Sequence, residues 1–120
     1  MMTPQQFALA LRQTESDSNP RAYGDDGLAL TSYQVHPAWV WDQIRRAPVT
    51  PRVDDSWEAW IEQIVCKFYR IRMQTSSEVQ IAMEFHIGHF VAPTDTAWDV
   101  PYAARFAKFA AIAMGQSDAT

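Results

Sequence analysis

Glu15 is the residue in this chain best placed to move a proton. It shares one helical face with Phe7, Ala8 and Leu11, at i, i+1, i+4 and i+8, so the helix aims its carboxyl along the buried side, near the C-terminal end. Apolar neighbours and the negative end of a helix dipole both disfavour the ionised carboxylate, the direction a general acid needs. The stretch from Glu15 onward, ESDSNPRAYGDDGLALTSYQVHP, is polar and rich in turn formers. Asp25 and Asp26 lie in a Gly-Asp-Asp-Gly turn, either as plain surface turn residues or with one of them serving as a second carboxylate facing Glu15. Tyr33-Gln34 closes the stretch with groups suited to hydroxyl or acetamido partners. Such a set suits cleavage of a glycosidic bond, which needs an acid for the leaving oxygen and stabilisation of an oxocarbenium-like carbon.

Local signals define the elements that must position these groups. Thr3-Pro4-Gln5-Gln6 reads as a helix start, with Thr3 as cap, Pro4 in the first helical position and Gln6 as capping-box partner. Asn19-Pro20 stops that helix, and residues 22–35 read as a small hairpin or irregular wing beside a groove. His36-Pro37 opens a short helix ending at Arg45-Arg46, in which Trp39 and Trp41 serve either as a stacking platform for sugar rings or as core. After the proline-rich linker PVTPRV, Asp55 and Glu58 predict a capping-box start for a long helix to about Met73. Its stripe of Trp57, Trp60, Ile61, Ile64, Val65, Phe68 and Ile71 marks it as the central buried helix, with Cys66 a small packed residue on it.

A capping box in Thr75-Ser76-Ser77-Glu78 predicts a further helix over roughly 77–90, with Glu84 and His89 facing solvent and His86 either a satisfied helical histidine or a cleft residue. Asp99 is the candidate cap of a last helix whose apolar side runs through Tyr102, Phe106, Phe109, Ala110 and Ala113. Residues beyond Gly115 are expected to fray.

Bulk properties narrow the function classes. The chain has 120 residues, 48% of them hydrophobic, with five tryptophans, which fits one folded domain, 1–120. A net charge of −4 with scattered basic residues gives no footprint for nucleic acid. One cysteine permits neither an internal disulfide nor a cysteine-based zinc cluster. No apolar run is long enough for a membrane span, and the first residues carry no visible signal peptide.

Glu15-Ser16, Asn19-Pro20, Ala22, Gly24-Asp25, Gly27, Ala29 and Tyr33-Gln34 together resemble the active-site segment of the lysozyme-like superfamily. Soluble lytic transglycosylases and goose-type and invertebrate-type lysozymes carry a segment close to E-S-G-x-N-P-x-A-x-G-D-x-G-x-A-x-G-x-Y-Q-I. The resemblance implies a mostly α, α+β lysozyme-like domain, about five helices around the 55–73 helix with a short β-wing flanking the groove. It implies a peptidoglycan-cleaving glycosidase acting between N-acetylmuramic acid and N-acetylglucosamine by lytic transglycosylation or hydrolysis, with Glu15 as general acid/base and no cofactor or metal.

Ser16, Tyr33, Gln34, His86 and Tyr102 are the implied substrate-binding residues, with Tyr102 either reaching the catalytic carboxyl or packing in the core. Phe85-His86-Ile87-Gly88 stands where the family has A-Y-N-x-G, so His86 replaces an asparagine, and Tyr102 opens a family-like Tyr-Ala-x-Arg helix. Thr31-Ser32 replaces a glycine-rich turn, which is expected to narrow the groove. The implied partners are peptidoglycan glycan strands. Action on the wall then calls for delivery by a virion, a holin, a secretion apparatus, or a longer chain. These departures also motivate an alternative: a lysozyme-like module that binds glycan, or scaffolds a phage tail or secretion complex, without catalysis.

Overall fold

The computed structural model describes residues 1–19, 23–24, 29–52 and 55–115. Helix α1 (Pro4–Ser16) begins as its sequence requires: the Thr3 hydroxyl accepts from the Gln6 amide (3.1 Å), and the Gln6 side chain accepts from the Thr3 amide (2.8 Å). It ends at Asp17, whose left-handed backbone (φ 56°) turns its N–H back onto the Arg12 and Gln13 carbonyls. Strands β1 (Tyr23–Gly24) and β2 (Ala29–Leu30) pair antiparallel, Tyr23 opposite Leu30 and Gly24 opposite Ala29. Leu30 also bridges to Val35 across the turn 31–34, and this small wing leads into α2 (Pro37–Arg46).

Helices α3 (Trp57–Arg72), α4 (Glu78–Ile87) and α5 (Val100–Ala113) complete a mostly helical α+β architecture, with five helices among the described residues. The centre is shared rather than held by α3 alone. Helix α1 packs against both α3 and α5, and Phe7 stacks on Tyr69 of α3 (ring centroids 4.5 Å) while meeting Phe106 of α5 (5.6 Å). Buried side chains from all five helices form one contiguous apolar cluster. No helix among the described residues is long and apolar enough to cross a membrane.

Several local expectations need correction. Ser56, not Asp55, caps α3 by accepting from the Ala59 amide (3.0 Å). Asp55 instead accepts from the Arg52 amide (2.8 Å) and the Gln63 side chain (2.6 Å), and the first of these bonds does most to hold its carboxyl below the ordinary range. Glu58 does not fold back on the cap, because it reaches Ser32 across the molecule. The apolar stripe of α3 is narrower than its sequence suggests: Trp57 and Ile71, at its two ends, are exposed, whereas Cys66 and Tyr69 are buried. Burial pushes the Cys66 thiol up to about 11, which makes it a packed residue rather than a nucleophile.

At α4 the capping box is Ser77 with Gln80, and the helix stops at Gly88, in the left-handed conformation (φ 103°). Glu84 does not face solvent freely, since it pairs with Arg72 of α3 at 2.7 Å. That Arg72 guanidinium also lies over the Phe68 ring (3.8 Å), so one side chain ties α4 to α3 by charge and by packing.

Candidate active site

Glu15, in the last turn of α1, opens onto a cleft of about 490 Å³ between the wing, the start of α2 and the end of α4. Trp39 and Phe85 form an aromatic wall, meeting edge to face at 5.0 Å; Gln34, His36 and His86 add hydrogen-bonding groups. Glu15 is the only carboxylate among the described residues that line this space.

Three side chains from two helices fix that carboxyl. From α5, the Tyr102 hydroxyl donates to Glu15 Oε2. Also from α5, Arg105 clamps the open carbonyl end of α1: its Nε donates to the Thr14 carbonyl (2.9 Å), and its terminal nitrogen donates to the Gln13 carbonyl (3.1 Å) and pairs with Asp17 (2.8 Å). From α4, the His86 ring lies flat on the Tyr102 ring, with centroids 3.8 Å apart and planes 7° from parallel. Burial raises the Glu15 pKa above its ordinary 4.5, while the Tyr102 bond and the charges of His86 and Arg105 pull the other way. Desolvation is the largest influence, so the carboxyl keeps its proton at pH values where an exposed glutamate has lost it. Tyr102 is itself driven well above the ordinary phenol range, first by burial and then by Glu15, so it acts as a donor and not as a base.

The wing presents Gln34 through a strained turn. Thr31 (φ 66°) and Gln34 (φ 52°) both occupy the left-handed region, an uncommon place for a β-branched threonine. The turn is over-determined by its bonds. The Ser32 amide donates to Glu58 Oε1 (3.0 Å), the Ser32 hydroxyl donates to Glu58 Oε2, and the Ser16 hydroxyl donates to the Ser32 carbonyl (2.6 Å). Thr31 and Ser32 are buried and are not among the described residues that line the cleft.

Gln34 donates to the Thr31 carbonyl (2.9 Å), and its Oε1 lies only 2.5 Å from where a Gly24 Cβ would stand. Glycine is therefore needed at 24 for the amide to rest there. Gly24→Ala is expected to leave Tm nearly unchanged, because the flexible end of Gln34 can swing away, but to displace the Gln34 side-chain amide from the Thr31 carbonyl. The side-chain amide resonances of Gln34 check this; an unmoved signal contradicts it.

The residues singled out in sequence thus separate. Glu15, Gln34 and His86 line the cleft, and Tyr102 stands directly behind Glu15. Ser16 and Tyr33 do not line it. The Ser16 hydroxyl is committed to the Ser32 carbonyl, and Tyr33 is fully buried with its hydroxyl on Glu62 of α3 (2.9 Å). Asp25 and Asp26 lie outside the described residues.

Trp39 both packs on Phe68 and faces the cleft, whereas Trp41 is 64% exposed, beside a separate apolar cup formed with Trp57 and Trp60. Sequence reasoning missed Glu58 as the anchor of the turn, Arg105 as the clamp on α1, and Asp99 as the partner of His86. Local patterning gives Glu58 and Asp99 only a capping role and gives Arg105 none. No group of three or more potential metal ligands forms among the described residues.

Because the fold penalises ionised Glu15, stability carries the same signature. Above pH 4.5 the unfolded chain releases this proton while the folded chain still holds it, so stability falls as pH rises and levels off above the folded pKa. Glu15→Gln cannot ionise and can still accept from Tyr102. Its Tm is expected to gain on wild type progressively from pH 4.5 upward, as thermal melts across a pH series would show. A pH-independent difference contradicts the assignment. The chain matches no protein-family model, no curated protein and no solved structure.

Proposed function

We propose that this protein is a peptidoglycan glycosidase with a lysozyme-like fold, cleaving the β-1,4 bond between N-acetylmuramic acid and N-acetylglucosamine with Glu15 as its one acid/base. The observation that carries this reading is the half-buried, desolvated Glu15 carboxyl at the cleft, Oε2 held by Tyr102 and Oε1 without a hydrogen-bond partner among the described residues. Protonated Glu15 donates to the bridging oxygen as the bond from that oxygen to C1 breaks. Charge building at C1 is met by the substrate's own 2-acetamido oxygen, an accepted alternative to a second carboxylate. The glutamate, now ionised and stabilised by the Tyr102 hydroxyl, takes a proton from the attacking group. If that group is the sugar's C6 hydroxyl, the new C1–O bond gives a 1,6-anhydro end; if it is water, the product is a reducing end.

Lytic transglycosylation is the favoured branch, because the segment that resembles the family pairs a single glutamate, Glu15, with Tyr33-Gln34, while Asp25 and Asp26 leave hydrolysis as the other branch. Trp39 and Phe85 supply apolar faces for pyranose rings, and Gln34 a polar contact. Mass spectrometry of fragments released from purified sacculi tests the proposal: anhydro-muropeptides are expected, reducing ends assign hydrolysis instead, and glycan binding with no product assigns an inactive binding module.

A further inference from the structure

Asp99 stands behind the proton donor of Glu15 and holds it from two directions. As the cap of α5, its Oδ1 accepts from the Tyr102 amide (3.0 Å), which fixes the backbone that carries the phenol. Its Oδ2 lies 3.0 Å from His86 Nε2. A carboxylate can only accept, and Asp99 is held ionised, its pKa lowered first by the Tyr102 amide and then by His86. His86 therefore carries its proton on Nε2, pointing at Asp99. The same imidazole lies 3.8 Å above the Tyr102 ring and nearly parallel to it. One carboxylate thus bonds the Tyr102 main chain and also the ring that covers the Tyr102 side chain.

We propose that Asp99 is a positioning residue of the site: through its bonds to the Tyr102 amide and to His86 it sets the Tyr102 hydroxyl on Glu15 Oε2. Capping alone needs only one oxygen, and serine serves as well as aspartate. The second oxygen links the end of α4 to the start of α5 at the one place where α5 meets the acid. The inference rests on the reading of Glu15 as the acid, but its consequence reaches a quantity that turnover does not define.

Among the described residues, the charged and titratable groups acting on Glu15 are His86 from α4 and Tyr102 and Arg105 from α5, with Asp99 behind His86; His36, at the start of α2, lines the same cleft. Donation from Tyr102 favours the ionised carboxylate, so loosening Tyr102 must raise the Glu15 pKa. Asp99→Ser keeps the cap and is too short to reach His86. In this variant the Glu15 carboxyl, followed by carbon-13 NMR, is expected to titrate at higher pH than wild type, with Tm nearly unchanged and kcat lowered roughly 10-fold as the acid loses its alignment.

The decisive comparison is made on a Tyr102→Phe background, which already lacks the hydroxyl. There Asp99→Ser is expected to add no further shift, because its influence travels through the missing group. An unchanged Glu15 titration in Asp99→Ser, or a full additional shift on the Tyr102→Phe background, overturns the proposal. The expected shifts in a protein that releases no muropeptide would retain the positioning role and dismiss the glycosidase reading alone.

Discussion

Glu15→Gln is expected to slow glycan cleavage by at least ~100-fold while leaving the fold intact, the lower end of what a lost acid/base contributes. The amide has nearly the shape of the carboxyl and can still accept from Tyr102, so the cleft between the wing, α2 and α4 keeps its walls. What disappears is the transferable proton. The loss is expected in kcat, with KM close to wild type, because the substitution touches a transfer that matters only as the bond breaks. Release of fragments from sacculi at equal enzyme concentration measures it. Together with the Tm gain expected of the same variant above pH 4.5, this result would make Glu15 a residue that costs stability and supplies activity, as functional sites often do.

Phe7→Ala is expected to be the most destabilising single change, about 3–5 kcal/mol. Phe7 is fully buried and is the side chain of α1 that touches aromatic rings of both α3 and α5, at 4.5 Å from Tyr69 and 5.6 Å from Phe106. Truncation would open a ring-sized cavity where three helices meet. The neighbouring Tyr69 could not relax freely into it, because its hydroxyl donates to the Met2 carbonyl (2.8 Å). Against the roughly 5–15 kcal/mol that a domain commands, little would remain. Chemical denaturation should show the midpoint falling with the slope unchanged, and a loss below ~1 kcal/mol would mean that this contact does not organise the core. Glu15 shares the Phe7 face of α1 two turns on, so activity should decline with stability.

Much of the helical frame was legible because its signals are local. The Thr3–Gln6 capping box, the Asp99 cap and the Pro37 start each depend on residues within one turn of one another. Where two local candidates compete, sequence reading slips by a residue or two, as with Asp55 for Ser56 and Thr75 for Ser77. The buried stripe on α3 is shorter than its periodicity suggests, because a repeat in sequence does not say where packing stops: Trp57 and Ile71, at its two ends, are exposed.

Contacts between distant residues left no trace in the pattern. Glu58 meets Ser32 across 26 positions, and Tyr102 meets Glu15 across 87, a contact that only the family-like Tyr-Ala-x-Arg segment suggested, beside core packing. Tyr33 and Gln34 look equivalent as neighbours in sequence, yet the turn sends one into the core toward Glu62 and the other to the cleft. Asp99 was readable as a cap, but its second oxygen has a partner only because α4 brings His86 to it.

If a half-buried Glu15 with a raised pKa does the chemistry, the pH dependence of kcat shows it most directly. Muropeptide release by wild type should persist above pH 4.5 and fall along a basic limb set by the raised Glu15 pKa. That limb should move to higher pH in Tyr102→Phe, and activity in Glu15→Gln should be nearly absent at every pH. Superimposable profiles for wild type and Glu15→Gln would contradict the claim.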